Sequence, residues 1–316
     1  MGRANVDFYV ANPGDSLETS DFFEKSVGGS AANIAVGLAR LGRHVDFLGI
    51  VSDDQFGHYV EKFLNDHHVG TRYLRRDNSG SLTSLAFAER QKIDSHVLFY
   101  RNGASDLMVD IADIPVEAFS DTSVLVVTGT GLSASPSREA TLFAMEKAAA
   151  AGTKVVLDLD WRASAWASVL SAGLIYRMAA DKADIILGTR EEFEVLLNSL
   201  QPAENMSDLD IAEYFLAGRP ELLVVKRGAK GSNAYAKGKA AWTAGIYPVE
   251  VKKNYGAGDA FAAAFIHGLL AGEEPDVSMR WGAGAAGIVV SDTACAASSP
   301  TAAQLREFIR TVKEEF

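Results

Sequence analysis

Residues 123–160 read SVLVVTGTGLSASPSREATLFAMEKAAAAGTKVVLDLD, and this stretch decides the fold class. Two near-continuous apolar runs, Ser123–Thr128 and Lys154–Asp160, enclose a helical pattern that Ser135-Pro136 opens and Gly152 closes. Such runs are typical of parallel strands covered on both faces, and serine followed by proline is a favoured helix start. The stretch therefore predicts a strand, a crossover helix and a second parallel strand.

The same alternation continues on both sides of this stretch. Further apolar runs lie at Asp184–Leu187 and Glu221–Lys226, and Ser30–Leu41 has the apolar spacing of an amphipathic helix. Thr301 and Gln304 form a capping-box pattern before a last helix. Strands that alternate with helices predict an α/β protein with three layers around a central, mostly parallel sheet.

Two segments, Asn5–Gly28 and Thr83–Arg101, look like short strands without helices between them and are rich in aromatic residues. The aromatic face of such a small sheet is expected to pack against another surface. We therefore expect a β-sheet lid over a site, a homodimer contact through the lid, or both. Because no long linker is evident, we expect a single domain over residues 1–316, with lid strands from about 5–28 and 83–101.

The composition excludes several classes of protein. The 316 residues carry a net charge of -11 and contain no Lys/Arg-rich stripe, which argues against a nucleic-acid partner. The single cysteine, Cys295, cannot form an intrachain disulfide and favours a reducing compartment. Because no signal peptide or membrane-length apolar run is present, we expect a cytoplasmic protein with small-molecule ligands and no membrane association.

The most informative motif is Asn254–Phe261, NYGAGDAF, in which a glycine turn runs directly into an apolar helix. Gly256 and Gly258 let successive backbone N–H groups point at one spot, and the helix dipole favours an anion there. Asp259 beside such a phosphate site fits a base that accepts the proton of an attacking hydroxyl. The alternative is that Asp259 caps the helix and the glycines only turn the chain.

Two strings resemble the signatures of the ribokinase-like (PfkB-type) sugar kinases. They are GAGD at residues 256–259 and GGSAAN at residues 28–33, and the resemblance extends over the whole chain. It implies a ribokinase-like fold and ATP-dependent transfer to a sugar hydroxyl, with Asp259 as the catalytic base. The implied anion hole consists of the amides of Gly256, Ala257 and Gly258. The implied sugar ligands are Asn5, Asp7, Gly29, Ser30 and Asn33.

Three arginine-bearing strings bear on the substrate. They are F-Y-R-x-x-x-x-D, which contains Tyr100 and Arg101; D-x-D-W-R-x-x-x-W, which contains Arg162 and ends at Trp166; and G-T-x-L-S-x-x-P-S-R, which ends at Arg138. Two guanidinium groups at one small site would suit a carboxylate, although a surface salt bridge is the alternative for each. The strings are similar to those of family members that phosphorylate 5-dehydro-2-deoxygluconate in inositol catabolism; related members act on 2-keto-3-deoxygluconate. The resemblance thus implies a keto-deoxy sugar acid phosphorylated at its terminal hydroxyl, and it favours the first of the two.

The nucleotide side of the resemblance is the segment KRGAKG at residues 226–231, which is similar to the ATP loop of the family. It implies that Lys226, Gly228 and Gly231 contact ATP, although a β-hairpin turn fits the same residues. Glu191 matches the glutamate of an N-x-x-E motif that organises Mg²⁺ through water, but Gly188 stands in place of the asparagine.

Two more departures from the family pattern occur near functional segments. Lys253-Asn254 replaces the Asp-Thr of many relatives, which weakens the expectation of a monovalent-cation requirement. The family also has a strand before the first glycine, and Met1-Gly2 leaves no room for it. We therefore expect that strand to be missing from this sequence.

Two other functions remain as alternatives. Gly282–Gly287 satisfies the dinucleotide fingerprint G-x-G-x-x-G and would suit a nicotinamide-dependent dehydrogenase, but it follows no predicted strand and fits close helix packing. The departures at Gly188 and Lys253 are compatible with a sugar-acid-binding sensor that has no catalytic activity.

Overall fold

The computed structural model describes residues 1–12, 14–89, 96–198, 206–253, 255–292 and 296–316. Asn254, Cys295 and residues 90–95 of the second expected lid segment therefore lie outside the described residues. The chain divides into two compact units. The first unit comprises residues 1–2 and 109–244, and the second unit comprises residues 3–108 and 245–316.

The strands of the described residues are β1 (Asn5–Val10), β2 (Phe23–Gly28), β3 (Val45–Asp46), β4 (Gly49–Ser52), β5 (Val69–Gly70), β6 (Leu74–Asp77), β7 (Leu85–Ala88), β8 (Val97–Tyr100), β9 (Val124–Thr128), β10 (Lys154–Asp158), β11 (Ile185–Thr189), β12 (Leu222–Lys226), β13 (Ser232–Ala236) and β14 (Trp242–Ala244). The α-helices are α1 (Ser30–Arg40), α2 (Gln55–Asp66), α3 (Ser137–Ala150), α4 (Val169–Ala180), α5 (Arg190–Asn198), α6 (Asp208–Leu216), α7 (Ala257–Leu270), α8 (Pro275–Val290) and α9 (Ala302–Thr311).

The first unit is built on a six-stranded sheet in the order β14-β13-β12-β11-β10-β9. Strands β9 to β12 are parallel, and β13 and β14 are antiparallel additions at one edge. In sequence, α3 lies between β9 and β10, α4 lies between β10 and β11, and α5 and α6 lie between β11 and β12. All four predicted central strands are confirmed, and their side chains are largely buried, as sequence patterns of this kind require.

The second unit contains the small sheet expected from the aromatic segments, in the order β2-β1-β7-β8. Strand β1 pairs antiparallel with β2 and parallel with β7. On one face the rings of Phe8 and Phe87 stack at 5.1 Å between centroids, and Phe56 of α2 meets Phe8 edge-on at 5.7 Å. On the other face Asp7, Ala86 and Phe99 occupy one cross-strand row. The predicted lid sheet is confirmed.

Two predictions concerned the residues at which α3 and α9 begin, and the structure tests both. The capping box of Thr301 and Gln304 is confirmed at the start of α9. Ser135 is not a cap: α3 begins at Ser137 after Pro136, and the Ser135 hydroxyl donates a hydrogen bond to the Glu139 side chain at 2.8 Å. The Ser135-Pro136 peptide bond is cis. Pro136 is the N-cap of α3 and does not occupy its first position.

The glycine run Gly282–Gly287 lies inside α8 and does not follow a strand. A Cβ added at Gly282 would approach the ring of Phe261 in α7 to 2.8 Å, and one added at Gly284 would approach Ile309 in α9 to 2.8 Å. The glycines therefore allow helices of the second unit to pack closely. This placement contradicts the strand-turn-helix context that a dinucleotide fingerprint needs. Among the described residues, no helix combines the length and apolarity needed to cross a membrane.

His267, a buried histidine of α7, allows a prediction of how the stability of the protein changes with pH. Burial, together with the positive charges of Arg43 and Arg306, lowers the pKa of His267 in α7 to about 4. The Nε of Arg43 donates a hydrogen bond to Nδ1 of His267 at 3.0 Å, which is possible only while Nδ1 is unprotonated. The His267 ring also stacks on Trp281 of α8 at 5.2 Å between centroids.

We expect His267→Gln to reduce the acid sensitivity of unfolding. In the unfolded chain His267 takes up a proton near its ordinary pKa of 6.5, whereas the folded protein resists protonation until about pH 4. Its unfavourable contribution is therefore absent above pH 6.5 and grows as the pH falls from 6.5 to 4, by at most about 1.4 kcal/mol per pH unit. Urea denaturation at pH 7.5 and pH 4.5 checks this, and equal pH dependence in both proteins would contradict it.

Candidate functional site

Asp259 lies in the first turn of α7, where two side chains from α1 hold its carboxylate. The hydroxyl of Ser30 donates a hydrogen bond to Oδ1 at 2.5 Å, and Nδ2 of Asn33 donates to Oδ2 at 2.7 Å. The N-cap of α7 is Gly256 and that of α1 is Gly29, so neither Asp259 nor Ser30 is a helix cap. The carboxylate is instead fixed in orientation, as a positioned proton acceptor needs to be.

The second carboxyl group of this region is Asp7 on β1. Nδ2 of Asn5 donates a hydrogen bond to Oδ1 of Asp7 at 2.6 Å, and the hydroxyl of Tyr9 donates to Oδ2 at 2.9 Å. The pKa of Asp7 lies above its ordinary value, chiefly because the group is buried. The charge of Arg3 and the two hydrogen bonds oppose this rise, and the charge of Asp259 adds to it. Asp7 and Asp259 are thus close enough to interact electrostatically.

Glycine is required where β2 passes the Asp7 side chain. A Cβ added at Gly28 would lie 2.1 Å from Oδ2 of Asp7, far inside van der Waals contact. At the start of α7, Gly256 has φ +77, the left-handed region that favours glycine. The first N–H groups of a helix have no partner within the helix, so this turn presents donors to an anion.

Two arginines lie on or beside the small sheet of the same unit. Nε and Nη2 of Arg101 bond to Oδ2 of Asp106 at 2.8 and 2.6 Å, and the two side chains are only 10% and 1% exposed. Arg3 is 6% exposed, and its guanidinium carbon lies 5.2 Å from the ring centroid of Phe99. Phe99 shares a cross-strand row with Asp7, so Arg3 reaches the face of the sheet that carries the buried carboxyl group.

The structure does not bring Tyr100 to these residues. Its position on β8 pairs with Leu85, one residue out of step with the row of Asp7, Ala86 and Phe99. Its ring meets Phe87 edge-on at 5.6 Å, and the side chain is largely exposed. Because side chains alternate between the faces of a strand, Tyr100 belongs to the aromatic face of the small sheet.

In the first unit, the predicted ATP-loop residues follow β12. Nζ of Lys226, the last residue of β12, bonds to Oδ1 of the buried Asp158 at the end of β10 at 3.0 Å. Gly228 and Gly231 have φ +57 and +76; Gly228 begins a short 3-10 turn and Gly231 follows it. The turn joins β12 to the antiparallel strand β13, so the hairpin geometry is present as well.

Arg162 lies just beyond the carboxyl end of β10, where α/β proteins bind ligands. Its Nη2 bonds to Oδ1 of Asp160 at 2.8 Å, and Asp160 has the unusual φ of +37 for a residue with a side chain. Arg162 and Lys226 thus both belong to the strand ends of the first unit, and each is oriented by a buried aspartate.

The two glutamates at the start of α5 have different surroundings. Glu191 is exposed, whereas Glu192 is buried and accepts backbone hydrogen bonds from Trp161 at 3.0 Å and Thr189 at 2.7 Å. Glu192 therefore links the backbone at the ends of β10 and β11, while the predicted metal residue Glu191 lies at the surface.

The environment of Tyr176 is also unusual. Burial and the nearby charges of Asp160 and Glu192 raise the pKa of Tyr176 well above its ordinary value.

Four residues with prominent contacts were missed as site residues by sequence reasoning: Arg3, Asp106, Glu192 and Tyr255. Signals existed for three of them: Arg3 adjoins the predicted sugar turn, Asp106 ends the string F-Y-R-x-x-x-x-D, and Glu192 adjoins Glu191. The hydroxyl of Tyr255 donates a hydrogen bond to the carbonyl oxygen of Glu89, a contact that no sequence spacing indicates.

The described residues of the second unit can accept a proton at Asp259, bind hydroxyl groups at Asp7 and Asn5, and attract negative charge through Arg3 and Arg101. The first unit offers Lys226 and glycine-flanked backbone at its strand ends. In the parts of the chain that the structure describes, no three His, Cys, Asp or Glu side chains are grouped to hold a metal ion by themselves. A positioned carboxylate beside the first turn of a helix suits phosphoryl transfer to a hydroxyl group.

Comparison with known proteins agrees with this chemistry. Residues 1–302 match the model of the family described as pfkB family carbohydrate kinase. The protein named 5-dehydro-2-deoxygluconokinase from Photobacterium profundum is 42% identical over 315 residues, covering 100% of this chain and 95% of that protein. The protein named 5-dehydro-2-deoxygluconokinase 1 from Bacillus cereus is 38% identical, covering 99% and 95%.

Among solved structures, the fructokinase with bound ATP from Xylella fastidiosa superposes with a TM-score of 0.85. The two chains are 24% identical, and the match covers 98% of this chain and 96% of the fructokinase. At this identity the likeness concerns the fold. It confirms the predicted α/β architecture with its central, mostly parallel sheet and small lid sheet.

Proposed function

Because the chain belongs to the pfkB family of carbohydrate kinases, we propose that it transfers the γ-phosphate of ATP to the terminal hydroxyl of 5-dehydro-2-deoxygluconate, yielding the 6-phosphate. The full-length similarity to proteins named for that activity supports the substrate. The observation that supports phosphoryl transfer most directly is the position of the Asp259 carboxylate. It accepts hydrogen bonds from Ser30 and Asn33 and lies in the first turn of α7, just after the glycine turn.

In the proposed mechanism Asp259 orients the attacking hydroxyl and accepts its proton as the O–P bond forms. The transition state of phosphoryl transfer is loose, so the hydroxyl can lose its proton late and the base needs only a fixed position. The amides of Gly256, Ala257 and Gly258 would stabilise the charge on the transferring group. The hydrogen bonds from Ser30 and Asn33 support this role, because they fix both carboxylate oxygens.

The sugar acid would be bound by groups of the second unit. We propose that Asn5, Asp7 and Gly29 contact its hydroxyl groups and that Ser30 and Asn33 complete the pocket. Arg101 would bind its carboxylate, because the Asp106 partner fixes the orientation of a guanidinium whose fork matches a carboxylate. Arg162 of the first unit would be a second carboxylate ligand.

For the nucleotide, we propose that Lys226, Gly228 and Gly231 contact the phosphates of Mg²⁺-ATP. Mg²⁺ typically binds to substrate phosphates, water and one or two carboxylates, which fits a chain whose described residues show no dedicated metal cluster. Glu191 is the proposed water-mediated ligand, and its exposure leaves its carboxylate accessible to hydrated metal. The metal would neutralise charge on the phosphates.

We propose further that the two units act as a single kinase domain over residues 1–316 and that the protein is a cytoplasmic homodimer through its lid sheet. The dimer is supported by two exposed apolar side chains of β8, Leu98 and Tyr100, and by the exposed Phe22 just before β2. Multi-angle light scattering should give twice the chain mass of 33.8 kDa, and a mass of one chain would contradict the dimer.

A coupled assay of ADP release tests the proposed activity. It compares 5-dehydro-2-deoxygluconate, 2-keto-3-deoxygluconate and fructose at matched ATP and Mg²⁺. We expect the highest kcat/KM with the first sugar acid and the lowest with fructose, which lacks a carboxylate. A higher kcat/KM with 2-keto-3-deoxygluconate would reassign the substrate, and binding of a sugar acid without ATP consumption would favour the sensor.

A further inference from the structure

Tyr255, the residue before the glycine turn, is attached to the small sheet through its side chain. Its ring lies 5.6 Å from that of Tyr9 on β1, between centroids, and packs in one apolar cluster with Tyr9, Ala88 and Val97. Its hydroxyl donates a hydrogen bond to the carbonyl oxygen of Glu89, just beyond β7. The side chain is therefore fixed at both the ring and the hydroxyl to strands of the small sheet.

The main chain at Tyr255 is held separately. Nζ of Lys253, a lysine only 3% exposed, donates a hydrogen bond to the carbonyl oxygen of Tyr255 at 3.3 Å. The backbone N–H of Lys252 donates to the carbonyl oxygen of Val290, the last residue of α8, at 2.8 Å. The next residue after Tyr255 is Gly256, and a glycine turn has more backbone freedom than any other. The geometry of the turn thus depends on how firmly Tyr255 is held.

The same Tyr9 that contacts Tyr255 also bonds to the buried carboxyl group of the proposed sugar pocket. Its hydroxyl donates to Oδ2 of Asp7 at 2.9 Å. A continuous chain of contacts therefore runs from Asp7 through the hydroxyl and ring of Tyr9 to the ring of Tyr255, and along the backbone to Gly256. All of these residues belong to the second unit.

We propose that Tyr255 is a positioning residue that couples occupancy of the Asp7 pocket to the geometry of the phosphate-binding turn. This inference rests on the proposed function. A sugar hydroxyl bound to Asp7 restrains the carboxylate and its Tyr9 partner, and the restrained Tyr9 ring restrains Tyr255. The amides of residues 256–258 are then preorganised when a sugar acid is bound. Preorganised donors matter because small displacements of groups that contact the transition state cost much of the rate.

Tyr255→Phe tests the coupling, because it removes the hydroxyl that anchors the ring to Glu89. Without this anchor the ring can yield when Tyr9 is restrained, so it no longer passes the restraint to the backbone. We expect kcat to fall about tenfold, whereas the Kd for ATP and the melting temperature stay unchanged. The matched control is Tyr247→Phe, which removes a tyrosine hydroxyl in the same unit where the ring packs on Phe308 of α9 at 5.7 Å. The control should keep the wild-type kcat.

Hydrogen exchange supplies a readout that a merely structural role would not change. In the wild type, saturating 5-dehydro-2-deoxygluconate without nucleotide should slow exchange of the peptide that spans residues 255–260. This added protection should be absent in Tyr255→Phe and in Tyr9→Phe, although both variants still bind the sugar acid.

The outcomes separate this inference from the proposed function. A wild type that phosphorylates the sugar acid while Tyr255→Phe keeps its kcat within about twofold overturns the coupling alone. A wild type that binds the sugar acid without added protection of residues 255–260 also overturns the coupling alone. A wild type that phosphorylates no sugar acid overturns the proposed function, on which the inference rests.

Discussion

Asp259→Asn is expected to lower kcat by about 10²–10⁴-fold, the usual contribution of a general base. Asparagine has nearly the same shape and leaves an oxygen to accept a hydrogen bond from Ser30 or Asn33, so the fold should be kept. It cannot accept a proton from the attacking hydroxyl. We propose that ATP is bound chiefly by Lys226 and the glycine-rich loops. The Kd for ATP should therefore change little in this variant.

Asp276→Asn is the matched control for this variant. Asp276 also lies in the first turn of a helix of the second unit, α8, where it pairs with Arg280 at 3.7 Å. Steady-state kinetics of both variants, with melting temperatures as a check on folding, separate the loss of a base from the loss of a helix-terminal charge. Near-normal turnover of Asp259→Asn would contradict the mechanism, as would an equal loss in Asp276→Asn.

Arg101→Met is expected to raise the KM for the sugar acid and lower kcat/KM by about 10–100-fold, while the KM for ATP stays unchanged. A hydrogen bond between charged groups contributes about 1.5–3 kcal/mol, and each 1.4 kcal/mol corresponds to a factor of about ten. The variant should also be less stable by about 3–5 kcal/mol, because it leaves the buried carboxylate of Asp106 without its partner.

A second variant separates binding from stability. Arg101→Met combined with Asp106→Asn removes the uncompensated charge, so it should recover much of the stability but not the KM. Arg72→Met is the control, since Arg72 is 63% exposed and surface pairs such as the one it forms with Asp46 contribute little to stability. If the double variant binds the sugar acid with the wild-type KM, Arg101 stabilises the small sheet and does not bind the carboxylate.

Much of the fold could be predicted from the sequence because local patterns determine it. The apolar runs around residues 123–160 read directly as buried parallel strands, and the aromatic segments without helices read as a small sheet. The start of α3 could not be predicted, because proline in sequence fits both the first helical position and the position before it. In the structure Pro136 is the N-cap of α3.

Sequence reasoning named Asp259, Ser30 and Asn33 of the candidate site but not the contacts between them. Ser30 and Asn33 reach Asp259 from 229 and 226 positions away, and sequence spacing carries no information about such pairs. Tyr100 shows a second limit, because one step along a strand moves a side chain to the other face. The neighbouring Arg101 side chain is largely buried, whereas Tyr100 is exposed.

The measurement that tests the central claim most directly is ³¹P NMR of the reaction of 5-dehydro-2-deoxygluconate with Mg²⁺-ATP. If the wild-type chain transfers phosphate to the terminal hydroxyl, a phosphomonoester signal split into a triplet by the two C6 protons should grow as the γ-phosphate signal of ATP declines. Asp259→Asn should show almost no such signal over the same time. Formation of inorganic phosphate alone, or no consumption of ATP, would contradict the account.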